Sequence, residues 1–159
     1  MPVEAAEFRR ILGHWTTGVA VVTTMTADGE PRGLTANAVA SVSLEPPLVL
    51  ACVERIADTH SAIATAQYFA INILAQDDER TARRFAGDDI ADKFTGLAWH
   101  AEQTGAPILD SALAWIDCHV HTAYDGGDHT IFIGEVVAGD AREGEPLGYY
   151  RGGYVRLTP

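Results

Sequence analysis

AWIDCHVHTAY (residues 114–124) and TIFIGEVV (130–137) flank the turn-rich DGGD (125–128). Both flanks carry β-branched and aromatic residues, and the Asp-Gly-Gly-Asp cluster between them is a turn signal. Two strands joined this way form an antiparallel pair, and the same grammar recurs along the chain. Residues 19–26 are rich in Val and Thr and read as a strand beginning after Gly18. Ala27-Asp28-Gly29-Glu30 is a hairpin turn. A second extended stretch covers 32–44, Pro46-Pro47 breaks it, and 48–53 follows as a buried strand. Residues 68–74 form another strand, and 154–157 form a last short one after Gly152-Gly153.

Helices are few. Phe8, Ile11, Leu12 and Trp15 stand at i, i+3, i+4 and i+7, one face of a short helix. Asp58 or Thr59 can cap a helix running to about Ala66. Residues 77–85 read as a third helix, ended near Gly87. Residues 88–102 hold only short apolar pieces. Regular strand-helix alternation is lacking, so a parallel sheet is not expected. The pattern predicts one domain over residues 1–159, mainly β: an antiparallel barrel with peripheral helices.

Composition narrows the function. The 159 residues carry 11 basic and 22 acidic side chains, a formal charge of −11. Coating nucleic acid needs clustered cations, and so does docking on anionic lipid. Neither partner is expected. Lys93 is the one lysine beside the arginines, whose planar forks suit bidentate phosphate contact. Apolar runs such as 48–53 are far shorter than a membrane span. The first residues lack the basic start and apolar stretch of a secretory signal, so a cytoplasmic setting is expected. Cys52 and Cys118 lie in apolar strand-like segments and read as buried thiols, with a disulfide as the alternative.

Among candidate sites, GLTANAVASVS (33–43) is the most unusual stretch. Small side chains let a ligand approach the backbone. In a continuous strand, Thr35, Asn37, Ser41 and Ser43 share a face. Such a row either holds a planar polar ligand or is a solvated strand face. His119 and His121 share a strand side but lack further metal ligands, so no metal is expected. His129, beside the turn, either contacts a ligand or caps the turn. Arg83 and Arg84 close a helix, where positive charge suits the dipole with or without a phosphate. Neither a G-x-G-x-x-G nor a P-loop occurs. G-x-S-x-G is also missing, which discounts a hydrolase triad.

Taken in order, several blocks resemble the flavin reductase domain family, the small reductase components of two-component flavin monooxygenases. They are GVAVVTT (18–24), GLTANA (33–38), SVSLEPPLV (41–49), RFAG (84–87), Lys93-Phe94, GDHTIFIGEV (127–136) and YYRGGY (149–154). The resemblance implies a six-stranded Greek-key split barrel, the FMN-binding type, with flanking helices and a homodimeric assembly. It implies that NADH or NADPH reduces FMN or FAD, and that the reduced flavin leaves for a separate oxygenase. Flavin is then held loosely, as much substrate as prosthetic group.

By position, Thr35, Ala36, Asn37 and Ala38 would border the isoalloxazine ring. Ser41, Ser43, Cys52 and Val53 would line its ribityl and phosphate side. Thr59, His60 and Ser61 fall where the family meets the cofactor after a barrel strand. Arg84, Phe85, Ala86, Gly87, Lys93 and Phe94 would close the groove. His129 and Tyr154 would lie near the nicotinamide, with His129 orienting it. Ala38 stands where many members carry Ser, and residues 54–58 are less typical. Hydride transfer between stacked rings needs alignment and electrostatics from the protein, with no enzymic nucleophile. Two other readings compete. One is an FMN-dependent oxidase of the pyridoxamine-phosphate-oxidase type. The other is a non-catalytic flavin-binding protein. The Gly-Asp-His block favours the reductase.

Overall fold

The computed structural model describes residues 1–88 and 93–158. Helix α1 (Ala5–Leu12) leads into β1 (Thr17–Gly18), β2 (Ala20–Met25), β3 (Pro31–Ala36), β4 (Val39–Leu44) and β5 (Pro47–Glu54). Then come α2 (Asp58–Ala66), β6 (Tyr68–Ile73), α3 (Glu79–Ala86), β7 (Trp99–Ala101) and β8 (Pro107–Leu109). The chain ends with β9 (Ala114–Gly126), β10 (His129–Ala141), β11 (Leu147–Tyr150) and β12 (Gly153–Arg156).

The main sheet has the order β3-β2-β6-β9-β10-β5-β4, with antiparallel pairing throughout. Its two edge strands are neighbours in sequence, linked only by Asn37 and Ala38. In a flat sheet, six gaps of about 4.8 Å would hold those edges roughly 29 Å apart. A link of three Cα steps reaches no further than about 11 Å. The sheet therefore curls until its edges meet, which is a barrel. The Ala38 carbonyl accepts the Cys52 N–H (3.0 Å) at the closure.

Seven strands build this sheet where the family resemblance implied six. The stretch 32–44 is two strands on opposite edges, with a further register shift between Ser41 and Ser43. The expected common face of Thr35, Asn37, Ser41 and Ser43 is thereby lost, because the backbone turns at 37–38. Four short strands, β1, β7, β8 and β11, were not expected from the sequence.

Strand β2 is buried on both faces. Ala20 and Val22 join Ala51, Val53, Ile63, Phe69, Ile71, Cys118 and Phe132 inside the barrel. Val19, just before β2, and Val21 pack outward on Leu74, Ala82, Phe85, Leu109 and Leu147. This two-sided burial explains a near-continuous apolar strand in an antiparallel sheet. Gly134 makes the interior possible: a Cβ there would lie 2.7 Å from Phe69 Cζ and 2.8 Å from Cys118 Cβ. Both cysteines are free thiols, Cys118 buried and Cys52 half-buried.

The helices depart from expectation in two places. The N-cap of α2 is Ala57, with no side-chain capping bond, and Thr59 is buried instead of capping. Helix α1 ends at Leu12, short of Trp15, and buries none of its residues. Phe8, Ile11, Leu12 and Trp15 stay exposed, at 54, 48, 47 and 75%. No helix among the described residues is long and apolar enough to cross a membrane.

Candidate functional site

Where β3 hands over to β4, the backbone leaves the sheet and a hollow of about 290 Å³ opens beside it. Ala36, Asn37 and Ala38 form one wall. Cys52 and Glu54 come from the end of β5, Phe85, Ala86 and Gly87 from the end of α3, and Lys93 and His129 complete the rim. Leu34, Thr35, Ala57 and Asp88 also line it.

Helix α3 is fastened to β3 at this point. The Thr35 hydroxyl donates to the Ala82 carbonyl (2.5 Å). Gly33 lets Phe85 seat against the strand, since a Cβ there would sit 2.8 Å from Phe85 Cε1 and 3.3 Å from Phe94 Cζ. Phe85 and Phe94 meet edge to face, their centroids 4.9 Å apart. The Lys93 ammonium donates to the carbonyls of Gly33 (3.4 Å) and Phe85 (3.3 Å). Burial lowers the Lys93 pKa, and Asp88 and Asp58 partly oppose this. Burial raises the Cys52 pKa, so its half-buried thiol is not an activated nucleophile.

His129 is the first residue of β10 and pairs across both ladders, with Gly126 and with Glu54. Its Nδ1 lies 2.6 Å from Asp128 Oδ1. That hydrogen bond, reinforced by the charge of His129, holds the exposed Asp128 carboxyl below its usual range.

A second hollow, of about 190 Å³, shares Thr35, Ala36, Asn37 and Ala86 with the first and adds Val19, Tyr149 and Tyr154. Tyr149 and Tyr154 are direct cross-strand partners with ring centroids 5.5 Å apart. Arg83 lies over the Tyr154 ring at 5.0 Å and is paired with Glu79 at 2.6 Å. Burial outweighs Arg83 in setting the Tyr154 hydroxyl, whose pKa is raised. A third hollow, of about 200 Å³, adjoins on the other side and brings in Thr59 and Phe94.

Thus Thr35, Ala36, Asn37, Ala38, Cys52, Phe85, Ala86, Gly87, Lys93 and His129 meet around one hollow, with Tyr154, Thr59 and Phe94 at its neighbours. Other residues named from the sequence lie elsewhere. Ser41 and Ser43 lie on β4, outside the lining of all three hollows. Val53 is wholly inside the barrel core. His60 bonds Thr130 Oγ1 (2.7 Å) and packs on Phe132. Ser61 is exposed on α2. The Arg84 guanidinium donates to the Thr95 carbonyl (2.5 Å).

Glu54, Ala57, Asp88 and Tyr149 were not anticipated. A signal for Glu54 existed: neighbouring residues of a strand face opposite ways, so a hollow at Cys52 selects Glu54 and sends Val53 inward.

The donor set fits a flavin. Two alanines leave room for a flat ring, Asn37 offers both a donor and an acceptor, and Lys93 and His129 add polar groups at the edge. Residues 12–158 match the flavin reductase like domain. The chain belongs to that family. Among relatives, the reductase component of a 4-nitrophenol 4-monooxygenase/4-nitrocatechol 2-monooxygenase from Rhodococcus opacus is 44% identical over 158 residues. That match covers 99% of this chain and 84% of the relative. The FMN reductase (NADH) of Agrobacterium fabrum is 41% identical over 151 residues, or 95% and 85% of the two chains. The solved NADH:FAD oxidoreductase of Streptomyces globisporus superposes with a TM-score of 0.93 at 40% identity, covering 100% of this chain and 96% of its own. The same oxidoreductase, in complex with NAD and FAD fragments, gives 0.91. The flavin reductase fold is thus shared over the whole barrel.

Proposed function

We propose that the hollow at the Asn37–Ala38 link seats the flavin ring and that residues 1–159 work as a single unit around it. The enzyme is a flavin reductase that uses NADH to reduce FMN or FAD for a separate monooxygenase component. The observation that carries the site assignment is the handover from β3 to β4. There the barrel presents two alanines and an asparagine, with no bulky side chain, to a hollow rimmed by Lys93 and His129.

When bound, flavin supplies the two-electron acceptor for NADH. The chain's own residues do the positioning. Ala36 and Ala38 leave the backbone open to a ring lying flat against it. Asn37 would hold the polar edge of such a ring, and the Lys93 ammonium on the rim would supply positive charge beside a reduced flavin. In a neutral His129 ring, the Nδ1–H donates to Asp128, which leaves Nε2 an acceptor. An acceptor there matches the carboxamide N–H₂ of a nicotinamide, and Tyr154 walls the adjoining hollow. The barrel wall on one side and Phe85 on the other leave the mouth open, which suits a flavin that comes and goes.

The free thiols Cys52 and Cys118, together with dependence on NADH, favour a cytoplasmic setting. A homodimer accounts for α1, whose apolar face finds no cover on its own chain.

NADH and NADPH oxidation with FMN, FAD and riboflavin as acceptors tests this reading. NADH consumption that requires added flavin supports it. Flavin binding without NADH consumption would instead mean a carrier. Turnover of an organic amine by tightly retained FMN would mean an oxidase.

A further inference from the structure

His129 is the last ladder residue at its end of the barrel. The β5–β10 ladder stops at the Glu54–His129 pair, and the β9–β10 ladder stops at Gly126–His129. Beyond that pair only Gly127 and Asp128 turn the chain without a sheet partner, and Gly127 has a positive φ of 75°. One residue reaches across to it. Arg55 follows directly on Glu54, and its backbone N–H donates to the Asp128 carbonyl (2.9 Å). Its Nε–H donates to the Gly127 carbonyl (3.0 Å). Its terminal guanidinium nitrogen makes an ion pair with the Asp125 carboxylate. Three contacts from one residue thus fall on Asp125, Gly127 and Asp128. Asp128 is in turn the residue whose carboxylate holds the His129 ring.

We propose that Arg55 is a positioning residue for His129, clamping the turn from which the imidazole enters the hollow. The proposal rests on the reading of His129 given above. The planar fork explains why arginine is used: two nitrogens at fixed separation serve a carbonyl and a carboxylate together, which a lysine ammonium cannot copy. The guanidinium thereby has Nε and one terminal nitrogen committed to the turn. Its effect belongs to the nicotinamide side of the reaction.

The test compares Arg55→Ala, Arg55→Lys and Asp125→Ala with wild type, and repeats Arg55→Ala in a His129→Ala background. His129→Ala is expected to raise KM for NADH more than it weakens flavin binding. Arg55→Ala is expected to raise KM for NADH by about fivefold, the scale of a surface ion pair, with KM for flavin nearly unchanged. Asp125→Ala shifts the same parameter, and Arg55→Lys restores only part of it. In the His129→Ala background, Arg55→Ala adds nothing, because the residue it positions is gone. Hydrogen exchange on the flavin-free protein gives a readout without turnover. Amides of 125–130 exchange faster in Arg55→Ala, while those of β6 do not change.

Three results overturn the proposal: an undiminished Arg55 effect in the His129→Ala background, a rise in KM for flavin instead of NADH, or unchanged exchange at the turn. If His129→Ala itself leaves KM for NADH unaltered, the reading of His129 falls first and Arg55's role falls with it.

Discussion

A single Cβ decides the packing at Gly134 and Gly33, the first inside the barrel and the second beneath Phe85. Next to Gly134, the buried Cys118 thiol is pushed up to about 12 from 9.0, by desolvation first and by the Asp117 charge second. The unfolded chain loses this proton near pH 9 while the folded chain keeps it. The folded state therefore holds its full share of stability below pH 9 and loses it as pH rises toward 12. The urea midpoint of wild type should fall between neutral pH and about pH 10.5, and that of Cys118→Ala should fall less. Equal slopes would show that the thiol does not contribute. At this scale the sequence was readable where side-chain size alone mattered: Ala36, Asn37 and Ala38 line the hollow as their small side chains allow. It was less readable where orientation mattered, as the pair Cys52 and Val53 shows. Both were assigned to the groove, although the alternation of a strand sends Val53 into the core.

At the scale of elements, the long hairpin β9–β10 was the easiest feature to read, because the Asp-Gly-Gly-Asp signal stands between two β-rich runs, and the strands close to a two-residue turn within it. The break between β3 and β4 was hidden, since residues 32–44 contain no proline and no strong turn signal. Barrel closure, a long-range event, imposes the corner there. Strand β8 was hidden for a similar reason: only three residues long, it is held by a distant side chain. Asn72, fully buried, accepts the Leu109 N–H (2.8 Å) and donates to the Val21 carbonyl (3.1 Å), tying β8 to β2 and β6. Asn72→Leu strands those partners in the interior. It should destabilise the protein by about 2–3 kcal/mol, the cost of orphaned buried polar groups, read as a lower urea midpoint at constant m. An unchanged midpoint would mean that β8 is held by packing alone.

For the whole molecule, helical spacing correctly picked out an apolar face on α1 but not what covers it. The four residues find no core of their own chain, and a second copy is the occupant proposed above. Sedimentation should give a dimer for wild type, and Phe8→Glu with Ile11→Glu should shift it to monomer. A wild-type monomer at micromolar concentration would remove the homodimer. The proposed seat of the flavin ring is the mouth of the barrel at Ala38, where the small-residue wall lines the hollow. Ala38 is exposed, so Ala38→Leu adds bulk to that mouth without disturbing the core. The most direct measurement is the flavin dependence of NADH oxidation for wild type and Ala38→Leu, with thermal midpoints recorded in parallel. The predicted result is a KM for FMN or FAD raised by about tenfold or more, equivalent to about 1.4 kcal/mol, at an unchanged midpoint. The same flavin KM in both proteins would contradict the placement of the ring.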